Sequence, residues 1–248
     1  MTGFSVHKYK EIRWNNPLAI IGFPSVGLAS SIAANFLART LELEVVGGIG
    51  SDDFPPYAVV QNGVPLPPIR LYGGDRVCDN DTGLDCDGLI VVTSEFLPKI
   101  EQHHQLAVSL LEWFKENNVK TVICLEGIPQ FDADGHIIGI GSTPAANDIM
   151  TKYSIEKLDD SIVRGTSGVM LYEGTMRNMD ILAILGPART DMPDPRGAAK
   201  LMEPLSRMLP ELKIDPEPLY KEAEEIEKRM DSNSVALGGM SNKDFLYR

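Results

Sequence analysis

Short runs of unbroken apolar residues recur along this chain, and amphipathic stretches separate them. Residues 18–23, 89–93, 119–126 and 180–185 show little polar alternation, which is how strands covered on both faces read. Residues 44–49 predict a further strand. Between these runs the apolar positions fall at helical spacing. Ile32, Phe36 and Leu37 share one face of a helix over 28–41, and Leu106, Leu110, Trp113 and Phe114 share one face of a helix over 102–116. Further helices are expected over 168–177 and 197–209. A shorter one over 145–153 is opened by Thr143 as N-cap and Pro144 in the first turn. Two extended segments, 55–63 and 65–72, flank the turn signal Gln61-Asn62-Gly63, and residues 131–138 read as a second hairpin turning at Asp134-Gly135. Strand, Gly-rich turn, helix and strand over 18–49 form a βαβ unit whose two strands should run parallel. The pattern predicts an α/β fold with a mixed, mostly parallel central sheet flanked by helices.

The pattern changes after Pro210. Residues 1–209 read as the α/β core. Residues 210–231 read as a charged helical extension with Leu219, Ala223, Ile226 and Met230 near one stripe. Residues 231–244 are rich in Ser, Asn and Gly, so 232–248 is expected to be a flexible tail.

Composition narrows the function. With 43% hydrophobic residues in 248, a sizeable core can form, and a net charge of -12 argues against nucleic acid or an anionic membrane as partner. The chain opens without a basic, apolar signal segment, and no apolar run approaches the roughly 20 residues that span a bilayer, so a cytoplasmic protein is expected. Cys124 sits in an apolar run. Cys78 and Cys86 bracket a polar loop and are read as free thiols, with a disulfide clip as the alternative. The three cysteines do not have zinc-site spacing.

The turn Gly22-Phe23-Pro24-Ser25-Val26-Gly27 sits where phosphate loops sit, but Leu28 and Ala29 stand where a Lys and a Ser or Thr should follow. It is read as a tight turn, with a small-anion site as the alternative. No G-x-S-x-G elbow occurs, Ser167 being the nearest imitation. His103 and His104 are adjacent and would point about 100° apart on a helix. Glu95 and Glu126 end buried strands, where open α/β sheets hold ligands, and Asp52 and Asp53 follow a strand similarly. Gly22, Ser25, Gly27, Glu95 and Glu126 therefore mark a candidate ligand cleft. They would serve an enzyme acting on a small nucleoside or carboxylate, the alternative to a binding module. No catalytic set, metal site or cofactor is assigned.

The last residues carry a sharper signal. Leu246, Tyr247 and Arg248 form a hydrophobic–Tyr–any terminus. Tyr is 7 of 248 residues and hydrophobics are 43%, so chance gives such an ending in about 1% of chains of this composition. A charged helix and a polar leash precede it, which a terminus packed in the core would not need.

Together these residues resemble the archaeal proteasome assembly chaperone family. The resemblance runs from about Leu18 to Leu209 and is carried by Ile21 to Leu28, Phe54-Pro55-Pro56-Tyr57 and Leu125-Glu126-Gly127-Ile128-Pro129, with glycine-rich turns at Gly139-Ile140-Gly141 and Gly165 to Gly168. It implies a fold like that of purine nucleoside phosphorylases, homo-oligomeric assembly, and binding to the α subunits of the proteasome core particle without ATP. By that resemblance Leu246 would enter an apolar groove between adjacent α subunits, Tyr247 would stack and donate its hydroxyl, and the Arg248 carboxylate would pair with a lysine.

Overall fold

The computed structural model describes residues 3–78, 84–129 and 135–238, the last ten of these as backbone helix only. In chain order the elements are β1 (Ser5–Lys8), β2 (Pro17–Gly22), α1 (Ala29–Thr40), β3 (Glu44–Gly50), β4 (Val59–Gln61), β5 (Val64–Leu66), β6 (Ile69–Gly74) and β7 (Gly88–Ser94). Then follow α2 (His103–Glu116), β8 (Thr121–Pro129), β9 (Ile138–Gly141), α3 (Pro144–Lys152), β10 (Glu156–Lys157), α4 (Gly165–Arg177), β11 (Asp180–Ala188), α5 (Pro195–Met208) and α6 (Glu217–Gly238).

Among the described residues, nine strands form one sheet in the order β1-β3-β6-β7-β2-β8-β11-β9-β10. The four central strands, β7, β2, β8 and β11, are parallel. They coincide with the unbroken apolar runs, and every residue of β2 and β7 is buried, as parallel strands sandwiched by helices must be. In the flanks β6 on β7, β3 on β6, β1 on β3 and β9 on β11 are antiparallel, and the edge strand β10 is parallel to β9. Strands β2 and β3 run in the same direction, as a βαβ unit requires, but β7 and β6 are inserted between them.

Helices cover both faces. One core cluster packs α1, α3, α5 and the start of α6 on the sheet; the other packs α2 and α4 on the opposite face. Thr143 caps α3 by accepting from Ala146 N at 3.1 Å. The hairpin turn at Gln61-Asn62-Gly63 forms as expected. Asn62 (φ 51°) and Gly63 (φ +76°) are both left-handed, the geometry that a two-residue β4–β5 connection demands. The turn at Asp134 in the expected 131–138 hairpin lies outside the described residues, and Ile138 opens β9.

Two expectations are corrected. Cys78 and Cys86 are disulfide-bonded, not free. Their segments pair as an antiparallel bridge, Cys78 N donating to Cys86 O at 2.9 Å, which sets the Cα atoms 4.8 Å apart. The sequence separation of 8 allowed either state; the local pairing decides it. Replacing both cysteines by serine is expected to lower the unfolding free energy by about 2–3 kcal/mol, measured by urea denaturation. Second, α6 does not stop near residue 231. It continues to Gly238, because Ser, Asn and Asp cost under about 1 kcal/mol each inside a helix and do not break one as proline does. Residues 239–248 of the expected tail lie outside the described residues.

Candidate functional site

Leu246, Tyr247 and Arg248 lie outside the described residues, but the helix that leads to them is anchored. Leu219 and Ala223 of α6 are buried in the core. The Tyr220 hydroxyl bonds to Glu203 of α5, and burial together with that carboxylate pushes its pKa up. Arg196 of α5 donates from Nε and Nη2 to the two carboxylate oxygens of Glu227, at 3.2 and 2.8 Å, and its guanidinium lies 5.9 Å from the Tyr220 ring centre. The Glu227 carboxyl is held below its ordinary range by that pairing. These contacts fix the direction in which α6 leaves the core.

At the carboxyl edge of the sheet, β2 leads to α1 on one face and β7 leads to α2 on the other. The gap between their ends is a topological switch point. A cleft of about 560 Å³ opens there. Leu28, Ile32 and Phe36 form one wall, Val59–Gln61 and Leu97 the other, and Arg70 and Glu95 its polar part. Arg70, on β6, is only 2% exposed. Its Nη1 and Nη2 bond to the two oxygens of Glu95 at 2.5 and 2.6 Å, and its Nε donates to the Tyr72 hydroxyl at 2.9 Å. Tyr72 in turn donates to Gln61 Oε1 at 2.6 Å. Burial alone would lower the Arg70 pKa; the bonds to Glu95 and Tyr72 outweigh it and raise it.

The five residues marked as a cleft from sequence are not gathered in one place. Of them, Glu95 alone lines the cleft. Gly22 lets α1 approach β2: a Cβ there would overlap the Ser30 carbonyl and the Ala34 side chain. Gly22→Ala is expected to cost about 1–3 kcal/mol, read as a lower thermal midpoint. Gly27 is left-handed (φ +60°), and a Cβ would stand 2.7 Å from the Arg189 carbonyl oxygen. Ser25 ties the turn down, its hydroxyl accepting from Gly127 N at 2.9 Å and bonding to Ser30. The turn is thus knit to α1 and β8 by packing and internal hydrogen bonds.

Glu126 lies on the other face, beneath the first turn of α4. Ser167 donates to its carboxylate at 2.8 Å. Desolvation raises the Glu126 pKa from 4.5 to about 7, with Ser167 opposing the shift. Nearby, His103 Nδ1 is 2.9 Å from the Thr166 hydroxyl, and burial lowers its pKa. His104 instead meets Glu173 at 3.3 Å. Arg70 escaped the sequence reading; its one signal was a charge inside the extended run 65–72. Among the described residues no helix is long and apolar enough to cross a membrane.

The arrangement defines a three-layer α/β/α protein with a C-terminal helix anchored on α5. The chain belongs to the PAC2 family, whose model matches residues 19–233. It is similar to the crystal structure of Pyrococcus furiosus PbaA, an archaeal homolog of proteasome-assembly chaperone, with 30% identity, 95% of this chain and 94% of that chain covered, and a TM-score of 0.82. The crystal structure of Pyrococcus furiosus PbaB, an archaeal proteasome activator, matches with 20% identity over 94% of this chain and 100% of that one, at a TM-score of 0.77, and so bears on the fold. An uncharacterized protein of Methanocaldococcus jannaschii is 28% identical over 220 residues, 89% of this chain and 86% of its own length.

Proposed function

We propose that this chain is a non-enzymatic, ATP-independent partner of the proteasome core particle in the cytoplasm, an assembly chaperone or activator that docks on the α subunits through Leu246, Tyr247 and Arg248. The observation that carries the reading is the PbaA match, 30% identical across 95% of this chain. The terminal Leu-Tyr-Arg supplies the docking chemistry: an aliphatic side chain, a phenol and a free carboxylate for a groove and a lysine. The core geometry supports it. Gly22 to Gly27 is a packing turn followed by Leu28 and Ala29, without a lysine for a nucleotide. Arg70 spends its donors on Glu95, Tyr72 and neighbouring oxygens.

Helix α6 acts as the stem. At about 1.5 Å per residue, Gly238 stands roughly 22 Å along the axis from buried Ala223. The ten residues 239–248 can extend at most about 35 Å further. A three-residue dock buries little surface and binds weakly, so several copies of the chain acting together supply the avidity.

The experiment is co-purification with proteasome α-rings. The full chain should be retained, the chain lacking residues 246–248 should be lost while keeping its melting temperature, and Tyr247→Ala should cost nearly as much as the deletion. Retention of the truncated chain at the full level would refute the proposal.

A further inference from the structure

The cleft between α1 and β4 takes no part in the proposed docking, and its chemistry follows from which hydrogen-bonding positions are already occupied. A guanidinium has five N–H donors. On Arg70, Nε–H goes to Tyr72 and each terminal nitrogen gives one hydrogen to Glu95. The remaining two face the carbonyls of Pro67 and Pro68 and the Thr93 hydroxyl, at 3.4 to 3.5 Å. Arg70 therefore has no donor to offer an anion. The Tyr72 hydroxyl is committed too, accepting from Arg70 and donating to Gln61.

Glu95 is different. A carboxylate has about four acceptor positions. Arg70 takes two, and the Glu95 side chain is still 40% exposed where it lines the cleft. Arg70 and Tyr72 thus keep no free donor, while Glu95 keeps open acceptors. Facing it are the apolar side chains of Ile32 and Phe36. The two other charges of the lining, Arg39 and Glu222, are opposite in sign and belong to exposed residues. The volume, about 560 Å³, lies within the range of small-molecule sites, and the switch-point location is where open α/β sheets hold ligands.

We infer that this cleft binds a small organic cation, with an amidinium, guanidinium or ammonium head donating to the open positions of Glu95 and an apolar body of about one ring against Ile32 and Phe36. An anion finds no free donor on Arg70 or Tyr72 and meets the open oxygens of Glu95 instead. A neutral molecule of the same shape covers Glu95 without satisfying it, which carries a desolvation cost.

Three probes separate these cases: benzamidinium, benzamide and benzoate share one body and differ in the head. Each is titrated into the isotope-labelled full chain, and backbone amide resonances are followed by NMR. Benzamidinium should shift the amides of Phe36, Gln61 and Glu95 saturably, with a Kd at least about tenfold below that of benzamide, and benzoate should leave them unmoved. In Glu95→Gln the two binding probes should fall within about twofold of each other. Because Glu95 also holds Arg70, a second variant protects the test from misfolding. Val60 is exposed at the lip of the cleft, and Val60→Lys should weaken benzamidinium at least about threefold by like charge while leaving benzamide unchanged. Equal affinity for the three probes, a preference for benzoate, or shifts confined to other parts of the sheet would each overturn the inference. None of these readings involves residues 246–248.

Discussion

Arg70→Ala is expected to lower the unfolding free energy by about 3–5 kcal/mol at pH 7, a large share of the roughly 5–15 kcal/mol that holds an ordinary domain folded. The cause is what stays behind. Glu95 loses the two bonds that compensate its charge, the Tyr72 hydroxyl loses the Nε donor, and a cavity the size of an arginine opens beneath β4 and β5. Urea denaturation followed by far-UV circular dichroism measures it. The double change Arg70→Met with Glu95→Leu should recover most of the loss, because removing both partners leaves no uncompensated charge. A double variant no more stable than the single one would mean that the ion pair is not the source of the effect.

The second large effect depends on pH. Glu126 is desolvated among Cys124, Ser167 and the base of α4, and its pKa rises from 4.5 to about 7. An acid whose folded pKa lies above its unfolded one holds its proton more tightly in the native state. Its stabilising contribution is complete below about pH 4.5 and is lost as the pH rises towards 7. A shift of this size corresponds to about 3 kcal/mol. Glu126→Gln keeps an acceptor for Ser167 and removes the ionisation. The variant should match the parent near pH 4 and exceed it by up to about 3 kcal/mol at pH 8. Thermal midpoints taken at the two pH values suffice. Equal stability of the two proteins at pH 8 would show that Glu126 is better solvated than its position under α4 implies.

How much of this was legible in the sequence depends on how local the determinant is. Residues 18–23, 89–93, 119–126 and 180–185 announce buried strands because each stretch is apolar by itself, and they form the four parallel centre strands. Sheet order is not local. Nothing in residues 18–49 says that β6 and β7 separate β3 from β2. The two strand-end carboxylates show the same limit. Glu95 and Glu126 look alike in sequence, yet one meets Arg70 in an open cleft and the other lies half-buried under α4 against Ser167. Their partners lie 25 and 41 residues away in the chain. Arg70 carries no local sign of its pairing for the same reason. The end of α6 was misjudged differently: Ser and Asn favour loops, but a helix already under way tolerates them at small cost.

The central claim, that Leu246, Tyr247 and Arg248 dock on the core particle, is tested most directly by placing a photoreactive benzoylphenylalanine at position 247 of the full chain and illuminating it with assembled α-rings. Covalent adducts should form with α subunits, at peptides lining the groove between neighbours, and should disappear when an unlabelled peptide covering residues 239–248 is added in excess. Adducts only within the chain itself, or α-subunit adducts that the peptide does not displace, would contradict the account.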